Sequence, residues 1–322
     1  MALYIKEFSY AGDSNDGRAE NLGIDLTNGS HKRVVMIWSN ANQFSCFKTG
    51  TMEDTDGDAT AYFTNSASNP ANFIQTFTAT GITLGNANQV NATGTNYYGL
   101  VIVDTTGDYL DEGQYTGTGS GKNITTTFDP DFTLCKRDGA SIAVYKTLNT
   151  GGTVSNRFNG SSASSNNITA LGTLLFSIGT DAQVNSSGQT YNWFALKLRT
   201  GVIALGTIAG DGNDDRSIPA TDIDPNMVWV DRNETGSSTT GQMTSKDLLS
   251  DAGELSIDFH NGAGAANRIQ SLGTASFVVG TDTRVNANTV NYEWSAFTNI
   301  DEINVVTTTV VSNKRTLLGV GT

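Results

Sequence analysis

Three aspartates that alternate along one short stretch have the spacing that best suits a metal-ligand set. Asp54, Asp56 and Asp58 lie in "DTDGDATAY" (54–62), with a glycine between the last two. Alternate carboxylates are how calcium-binding loops begin. The twelfth position, however, is Asn65 rather than a bidentate glutamate, and we expect no flanking helix. A solvated acidic turn is the favoured interpretation, and a structural calcium ion is the alternative.

Groups suited to acid–base or nucleophilic catalysis are few. The two histidines, His31 and His260, lie at unrelated places in the chain, and no glycine pattern marks a nucleophile elbow. Carboxylate pairs such as Asp111-Glu112 and Asp301-Glu302 are typical of solvated loops, so the alternative of a glycosidase pair is not favoured. We therefore expect no enzymatic activity, no catalytic residues and no bound cofactor apart from the calcium alternative.

The composition favours an all-β fold. Hydrophobic residues make up only 37% and charged residues only 16%, and the balance is rich in Gly, Ser, Thr and Asn. Such a mixture, with 35 Gly and 4 Pro, favours many short strands joined by tight turns. Disorder is not expected, because aromatic residues occur along the whole chain inside alternating runs.

Charge and hydropathy narrow the functional classes. The formal net charge of −13 disfavours binding to a phosphate backbone. No apolar run is long enough for a membrane-spanning helix, and the first residues do not have the pattern of a signal peptide. The two cysteines, Cys46 and Cys135, lie in or beside apolar runs and are expected to be buried thiols in a reducing compartment.

One phrase occurs three times and marks an internal repeat. The copies are "VNATGTNYY" from Val90, "VNSSGQTYNWF" from Val184 and "VNANTVNYEW" from Val285. A glycine lies five residues before each valine, an asparagine follows it, and a tyrosine lies seven residues after it. The recurring apolar and aromatic positions predict a buried core in each repeat: Val90, Tyr97, Val184, Tyr191, Trp193, Val285, Tyr292 and Trp294.

These copies predict three tandem antiparallel β-sandwich repeats of about 95 residues each. We place the repeats at 1–106, 107–200 and 201–302, followed by a β-rich tail at 303–322. A unit of this size can have its own core, so either a row or a pseudo-threefold cluster is open.

Three further expectations concern less regular parts of the chain. The stretch 244–254 could form a short helix, with no preference for or against it. Trp38 and Trp229 flank an early strand at unequal positions, so either could be exposed. The tail 303–322 is rich in β-branched residues and is expected to add a strand to a neighbouring subunit or another protein.

The repeat resembles a unit common in the appendage proteins, especially tail fibres, of tailed bacteriophages. The resemblance rests on the order of "YTGTGSGKNITTTFDPDFTLCKR" and "LGTLLFSIGTDAQVNSSGQTYNWFALK", which extends three times over nearly all of 10–300. The first repeat departs most, because it lacks the Asp-Pro pair and has Gly99 where the others have tryptophan. A weaker similarity to the H-type lectin domain supports a six-stranded sandwich and implies a trimer.

The resemblance implies a non-enzymatic structural protein of a phage virion, either a fibre or another surface component that could meet the host. A capsid decoration protein is the first alternative, and a free carbohydrate-binding lectin is the second. The expected partners are copies of the chain itself, most simply as a homotrimer, other virion proteins, and a host-surface glycan. We expect no nucleic-acid partner and no membrane insertion. The expected location is the virion, after synthesis in the host cytoplasm.

Overall fold

The computed structural model describes residues 2–64, 67–160, 163–220, 222–233, 241–242, 244–247, 249, 253–259 and 264–303. His260, Asn65 and all of the tail after Ile303 lie outside these residues. Strands account for 48% of the chain and helices for 5%, so the predicted all-β fold class is confirmed. No helix in the described ranges has the length and apolar character needed to cross a membrane.

Elements are numbered in chain order. The first third of the chain is residues 1–106, the middle third is 107–200, and the last third begins at 201. In the first third they are β1 (Leu3–Ala11), β2 (Arg18–Asn21), β3 (Lys32–Ser39), β4 (Cys46–Thr49), α1 (Gly50–Asp56), β5 (Ala61–Tyr62), β6 (Ile74–Thr78), β7 (Gly81–Leu84), α2 (Asn88–Asn91) and β8 (Asn96–Asp104).

In the middle third they are β9 (Leu110–Thr116), β10 (Lys122–Thr125), β11 (Phe132–Arg137), β12 (Val144–Thr147), β13 (Val154–Arg157), β14 (Asn159–Gly160), β15 (Ser164–Ser165), β16 (Ile168–Gly172), β17 (Leu175–Ile178), α3 (Ala182–Asn185) and β18 (Thr190–Leu196). In the last third they are β19 (Ile203–Ala209), β20 (Arg216–Pro219), β21 (Met227–Arg232), β22 (Gly241–Gln242), β23 (Thr244–Asp247), β24 (Ile257–Asp258), β25 (Ile269–Gly273), β26 (Ser276–Val279), β27 (Asn291–Phe297) and β28 (Ile300–Asp301).

The same strand order recurs in each third of the chain. The large sheets run β28-β1-β8-β3-β4-β5, β15-β13-β12-β11-β18-β9 and β19-β27-β21-β23-β24. Each third also has a three-stranded sheet, in the orders β2-β7-β6, β10-β17-β16 and β20-β26-β25. Every strand pair named here is antiparallel, as short strands joined by tight turns favour.

Both faces of each large sheet are buried. Along β3, Val34, Met36 and Trp38 contribute to one cluster, while Val35 and Ile37 contribute to another. Successive side chains of a strand point to opposite faces of the sheet. The apolar run of β3 is continuous because both faces of its sheet are packed against other parts of the protein. The second cluster lies between the large sheet and the three-stranded sheet of the same third, and we call this kind of cluster an outer cluster.

The other face of all three large sheets contributes to one shared cluster, which we call the central cluster. Its large buried members include Met36, Phe47, Phe63, Phe132, Tyr145, Phe158, Phe194, Trp229, Phe259 and Phe297. These residues come from every third of the chain. Of the two arrangements that the sequence leaves open, the contacts therefore match a cluster and not a row.

Three phenylalanines, one from each third, meet inside the central cluster. The ring centroids of Phe63 and Phe158 are 4.9 Å apart, those of Phe63 and Phe259 are 5.2 Å apart, and those of Phe158 and Phe259 are 6.1 Å apart. Backbone hydrogen bonds also join the thirds beside these rings. Ser45 N of the first third donates to Phe259 O of the last, and Ala143 N of the middle third donates to Phe63 O of the first. This Phe trio marks a pseudo-threefold axis through the molecule.

The described chain closes on itself. Strand β28 pairs with β1, with Ile300 opposite Ile5. Glu302 then forms an ion pair with Arg199 and accepts a hydrogen bond from Leu3 N at 3.1 Å. The end of the last third is thereby fixed to both earlier thirds.

Two questions that the sequence leaves open are answered by the structure. Residues Thr244–Asp247 form strand β23 rather than the start of a helix, because Trp229 and its neighbours on β21 pair with them along their length. Residues 248 and 250–252 of the same stretch lie outside the described residues. Trp38 and Trp229 are both buried in the central cluster rather than exposed. In each case a contact distant in sequence overrides the local pattern.

Candidate functional site

The residues of the repeated phrase lie in the three outer clusters. Val90 and Tyr97 belong to the cluster of the first third, Val184, Tyr191 and Trp193 to that of the middle third, and Val285, Tyr292 and Trp294 to that of the last third. All eight side chains are buried. None of these side chains is therefore exposed enough to contact a ligand.

The asparagine of the phrase clamps the turn that opens each third. Asn185 is fully buried, and its Oδ1 accepts a hydrogen bond from Thr118 N at 2.8 Å while its Nδ2 donates to Ser120 O at 2.6 Å. Asn91 and Asn286 make the corresponding pair of bonds in the other thirds. The phrase and the opening turn are thus two halves of one structure.

The tyrosine of the phrase closes the short helical turn that precedes it. Tyr191 Oη accepts from Ser186 N at 2.7 Å and donates to Ala182 O at 2.9 Å. Tyr97 and Tyr292 make the same two contacts. Gly117 lies against this turn so closely that a Cβ atom there would be 2.3 Å from Ser186 O. The spacing of the phrase therefore reflects a folding requirement.

Replacing Asn185 with alanine is expected to lower the free energy of unfolding by about 3 kcal/mol, because this buried side chain loses its bonds to Thr118 N, Ser120 O and the buried carbonyl of Gly179. Urea denaturation followed by fluorescence measures this loss. Asn288→Ala, at an exposed asparagine beside the corresponding turn of the last third, is the matched control. Equal midpoints for the two variants would contradict the clamp.

The three aspartates of the calcium alternative do not form a loop. Asp54 and Asp56 lie on α1, which begins after the N-cap Thr49 and ends before Gly57. Residues two apart on a helix point in different directions, so the carboxylates of this pair do not converge. Within the described ranges, no group of three or more His, Cys, Asp or Glu residues is placed to hold a metal ion.

Contacts of α1 instead join parts of the first third to each other and to the middle third. Within the first third, Asp54 pairs with the buried Arg33 at 3.0 Å. From the middle third, Gln114 donates to Asp56 at 2.6 Å. Thr51 N, in the first turn of the helix, donates to the buried carboxylate of Glu112 at 2.9 Å. Burial raises the pKa of Glu112, and the helix N-terminus is a favourable environment for its charge.

A buried lysine at the same place in β4, β12 and β23 is a feature that the sequence interpretation missed. Lys48, Lys146 and Lys246 are buried, and each donates to main-chain carbonyls. Lys146 and Lys246 bond to the segment that follows their strands. Lys48 bonds to Gly57 O after its strand and also to Ile74 O and Gln75 O of β6. Burial lowers the pKa of Lys146. The recurrence of "FKT", "YKT" and "SKD" at one register position was the available signal.

A Lys146→Met variant is expected to lose about 3 kcal/mol of stability or more. The apolar replacement leaves the carbonyls of Thr150, Gly152 and Val154, which now accept at 2.7–3.0 Å, without their donor. Thermal unfolding of this variant should be compared with that of Lys122→Met, whose lysine lies on the partly exposed strand β10. A similar melting temperature for both variants would rule out the proposed role.

Two buried carboxyl groups lie between the middle and last thirds. Tyr145 Oη donates to Asp231, and the hydroxyls of Thr147 and Thr150 donate to Glu293 at 2.8 Å and 2.9 Å. Burial raises the pKa of Asp231 to about 8, and it also raises the pKa of Glu293. These contacts differ from those between the first and middle thirds, so the thirds are not interchangeable.

The remaining candidate groups are separated. His31 contacts the side chain of Asn28 at 3.1 Å, and His260 lies outside the described residues. Cys46 and Cys135 are buried free thiols in different outer clusters, and burial raises the pKa of both. The buried polar groups described above serve to join segments of the chain.

Comparison with known proteins gives no family assignment. No protein-family model matches the chain, and no curated protein sequence is significantly similar to it.

Proposed function

We propose that this chain is a non-enzymatic structural protein of a tailed-phage virion, either a fibre-type appendage or another surface component. The observation that carries the proposal is the Phe trio, where one chain builds a closed pseudo-threefold body. Its buried polar groups, such as Asn185, Lys146 and Glu112, are used to fix one segment to another. A rigid body of this kind suits a protein that must persist on a particle surface.

A capsid decoration protein is a second candidate, and the internal symmetry favours it specifically. A body whose three thirds share one strand order can meet three similar partner surfaces around a local threefold axis. Such an attachment needs no other copy of the chain. The predicted homotrimer remains a proposal beside it, and a measured molecular mass in solution distinguishes one copy from three.

Carbohydrate binding through the tryptophan side chains is a weaker candidate. Trp193 and Trp294 are 5% and 7% exposed, and Trp38 and Trp229 are buried in the central cluster. Sugar rings stack on exposed aromatic faces, so none of the four tryptophans can serve as a platform. A host-surface glycan, if it is a partner, would have to contact other residues.

Immunogold electron microscopy of purified virions tests the proposal. We expect label on intact particles, at the tail for an appendage and over the capsid for a decoration protein. A virion preparation from a deletion mutant is the control for antibody specificity. If the protein is abundant in infected cells but absent from purified virions, the structural role is wrong.

A further inference from the structure

The edge strand β16 of the middle third is open, whereas the corresponding edge strand of the first third, β6, is covered. A cavity of about 520 Å³ lies between β16 and the segment that follows β12, and we call it the β16 groove. Its walls include Thr169 and Leu171 of β16, the exposed Leu148, and the carboxylates Asp129 and Asp131. Lys146 also lines it, but its Nζ already donates to three carbonyls.

The hydrogen-bond pattern of β16 directs a backbone donor into this groove. Gly172 and Leu175 are paired across a two-residue turn, so they form the hydrogen-bonded pair that closes the hairpin. The next pair, Leu171 and Phe176, is then a non-hydrogen-bonded pair, because the two kinds alternate along an antiparallel ladder. The N–H of Leu171 therefore points away from β17 and toward the groove.

The first third shows how such an edge is covered. Phe77 holds the register position of Leu171, and its N–H donates to Glu53 Oε1 of helix α1 at 3.1 Å. Glu53 is also paired with Lys48 at 2.8 Å. In the middle third, residues 148–153 between β12 and β13 form no helix, so the Leu171 end of β16 keeps an open edge. At the other end of the strand, Ile168 N donates to Ser155 Oγ at 3.1 Å. The corresponding segment of the last third falls partly outside the described residues.

We propose that residues 304–322 of a second copy of this chain add a strand to β16 in this groove. The segment is rich in Val and Thr, which favour strands. It carries Lys314 and Arg315 and no acidic residue, whereas Asp129 and Asp131 line the groove. Its valines and leucines are apolar and can pack against the exposed Leu148. Backbone pairing at an open sheet edge supplies affinity, and the side chains on either side supply specificity.

Each chain then has one donor segment and one acceptor groove in the described part of the molecule. The donor leaves the body at Ile303, beside β1 of the first third, while the acceptor lies in the middle third. An extended segment of this length reaches up to roughly 60 Å. The contact is head to tail, and such contacts close into a ring when the rotation allows it. This gives the predicted self-assembly a specific structural basis, and it holds or fails independently of a virion location.

Sedimentation of the full chain and two variants tests the inference. Leu148→Arg places a positive charge at the groove, and the double change Lys314→Glu with Arg315→Glu reverses the charge of the donor. Each variant is expected to weaken self-association by at least about tenfold. Leu249→Arg, at an exposed leucine that follows β23, is the matched control and should associate as the parent does. Equal urea midpoints establish that the variants are folded.

Mixing the two defective variants provides the decisive readout. The Leu148→Arg chain keeps its donor and the charge-reversed chain keeps its groove, so we expect one-to-one heterodimers from two monomeric proteins. A mixture that stays monomeric while the parent assembles would overturn the inference. A parent chain that is monomeric at every concentration would also overturn it, as would unchanged assembly of Leu148→Arg.

Discussion

Replacing Phe158 with alanine is expected to lower the free energy of unfolding by about 4 kcal/mol. Phe158 is fully buried and contacts Phe63 and Phe259, so its removal leaves a cavity where the three thirds meet. The loss should be felt by all three thirds because each contributes one wall of that cavity. Urea denaturation followed by the fluorescence of the buried tryptophans measures it.

The control for this prediction is Leu174→Ala, whose leucine is 49% exposed and is not a member of the central cluster. We expect that variant to change stability by well under 1 kcal/mol. A Phe158→Ala protein as stable as Leu174→Ala would mean that the Phe trio does not hold the thirds together.

Stability is expected to fall as the pH rises from about 5 to 8. The pKa of Asp231 is raised to about 8 by burial, so in this window the folded protein holds a proton that the unfolded chain has released. The free energy of unfolding therefore decreases with pH, by at most about 1.4 kcal/mol per pH unit for this group, and the effect ends above its folded pKa. Glu293, whose pKa is also raised, acts in the same direction.

An Asp231→Asn variant separates this group from the others. The amide can still accept from Tyr145 but has no proton to lose, so its stability should depend less on pH and exceed that of the parent at pH 8. Asp58→Asn, at an exposed aspartate, should keep the slope of the parent. Parallel curves of unfolding free energy against pH for the parent and Asp231→Asn would contradict the assignment.

The all-β fold class could be predicted from the sequence, and the repeated residues indicate local contacts that recur in the structure. The asparagine and tyrosine of the phrase form the same backbone contacts in every third. The recurring Asp-Pro pair has a similar cause, since Asp129 accepts from Leu174 N and Asp224 accepts from Ala275 N, each at 2.8 Å. Identical spacing in three places reveals contacts of this local kind.

The parts that the sequence could not predict depend on neighbours from other thirds. The acids of α1 have the pattern of a solvated or calcium-binding loop in the sequence, whereas in the structure they contact Arg33 of β3 and Gln114 of the middle third. Trp38 and Trp229 are buried because their strands direct them into the central cluster, which side chains from all three thirds fill. Packing between thirds cannot be predicted from the alternation of apolar and polar residues along a single strand.

Scanning calorimetry of the intact chain tests the central claim most directly, which is that the three thirds form one body around a common core. We expect a single transition whose van't Hoff enthalpy equals the calorimetric enthalpy, because no third can lose the central cluster alone. Separate transitions, or a van't Hoff enthalpy near one third of the calorimetric value, would show three independent domains and contradict the account.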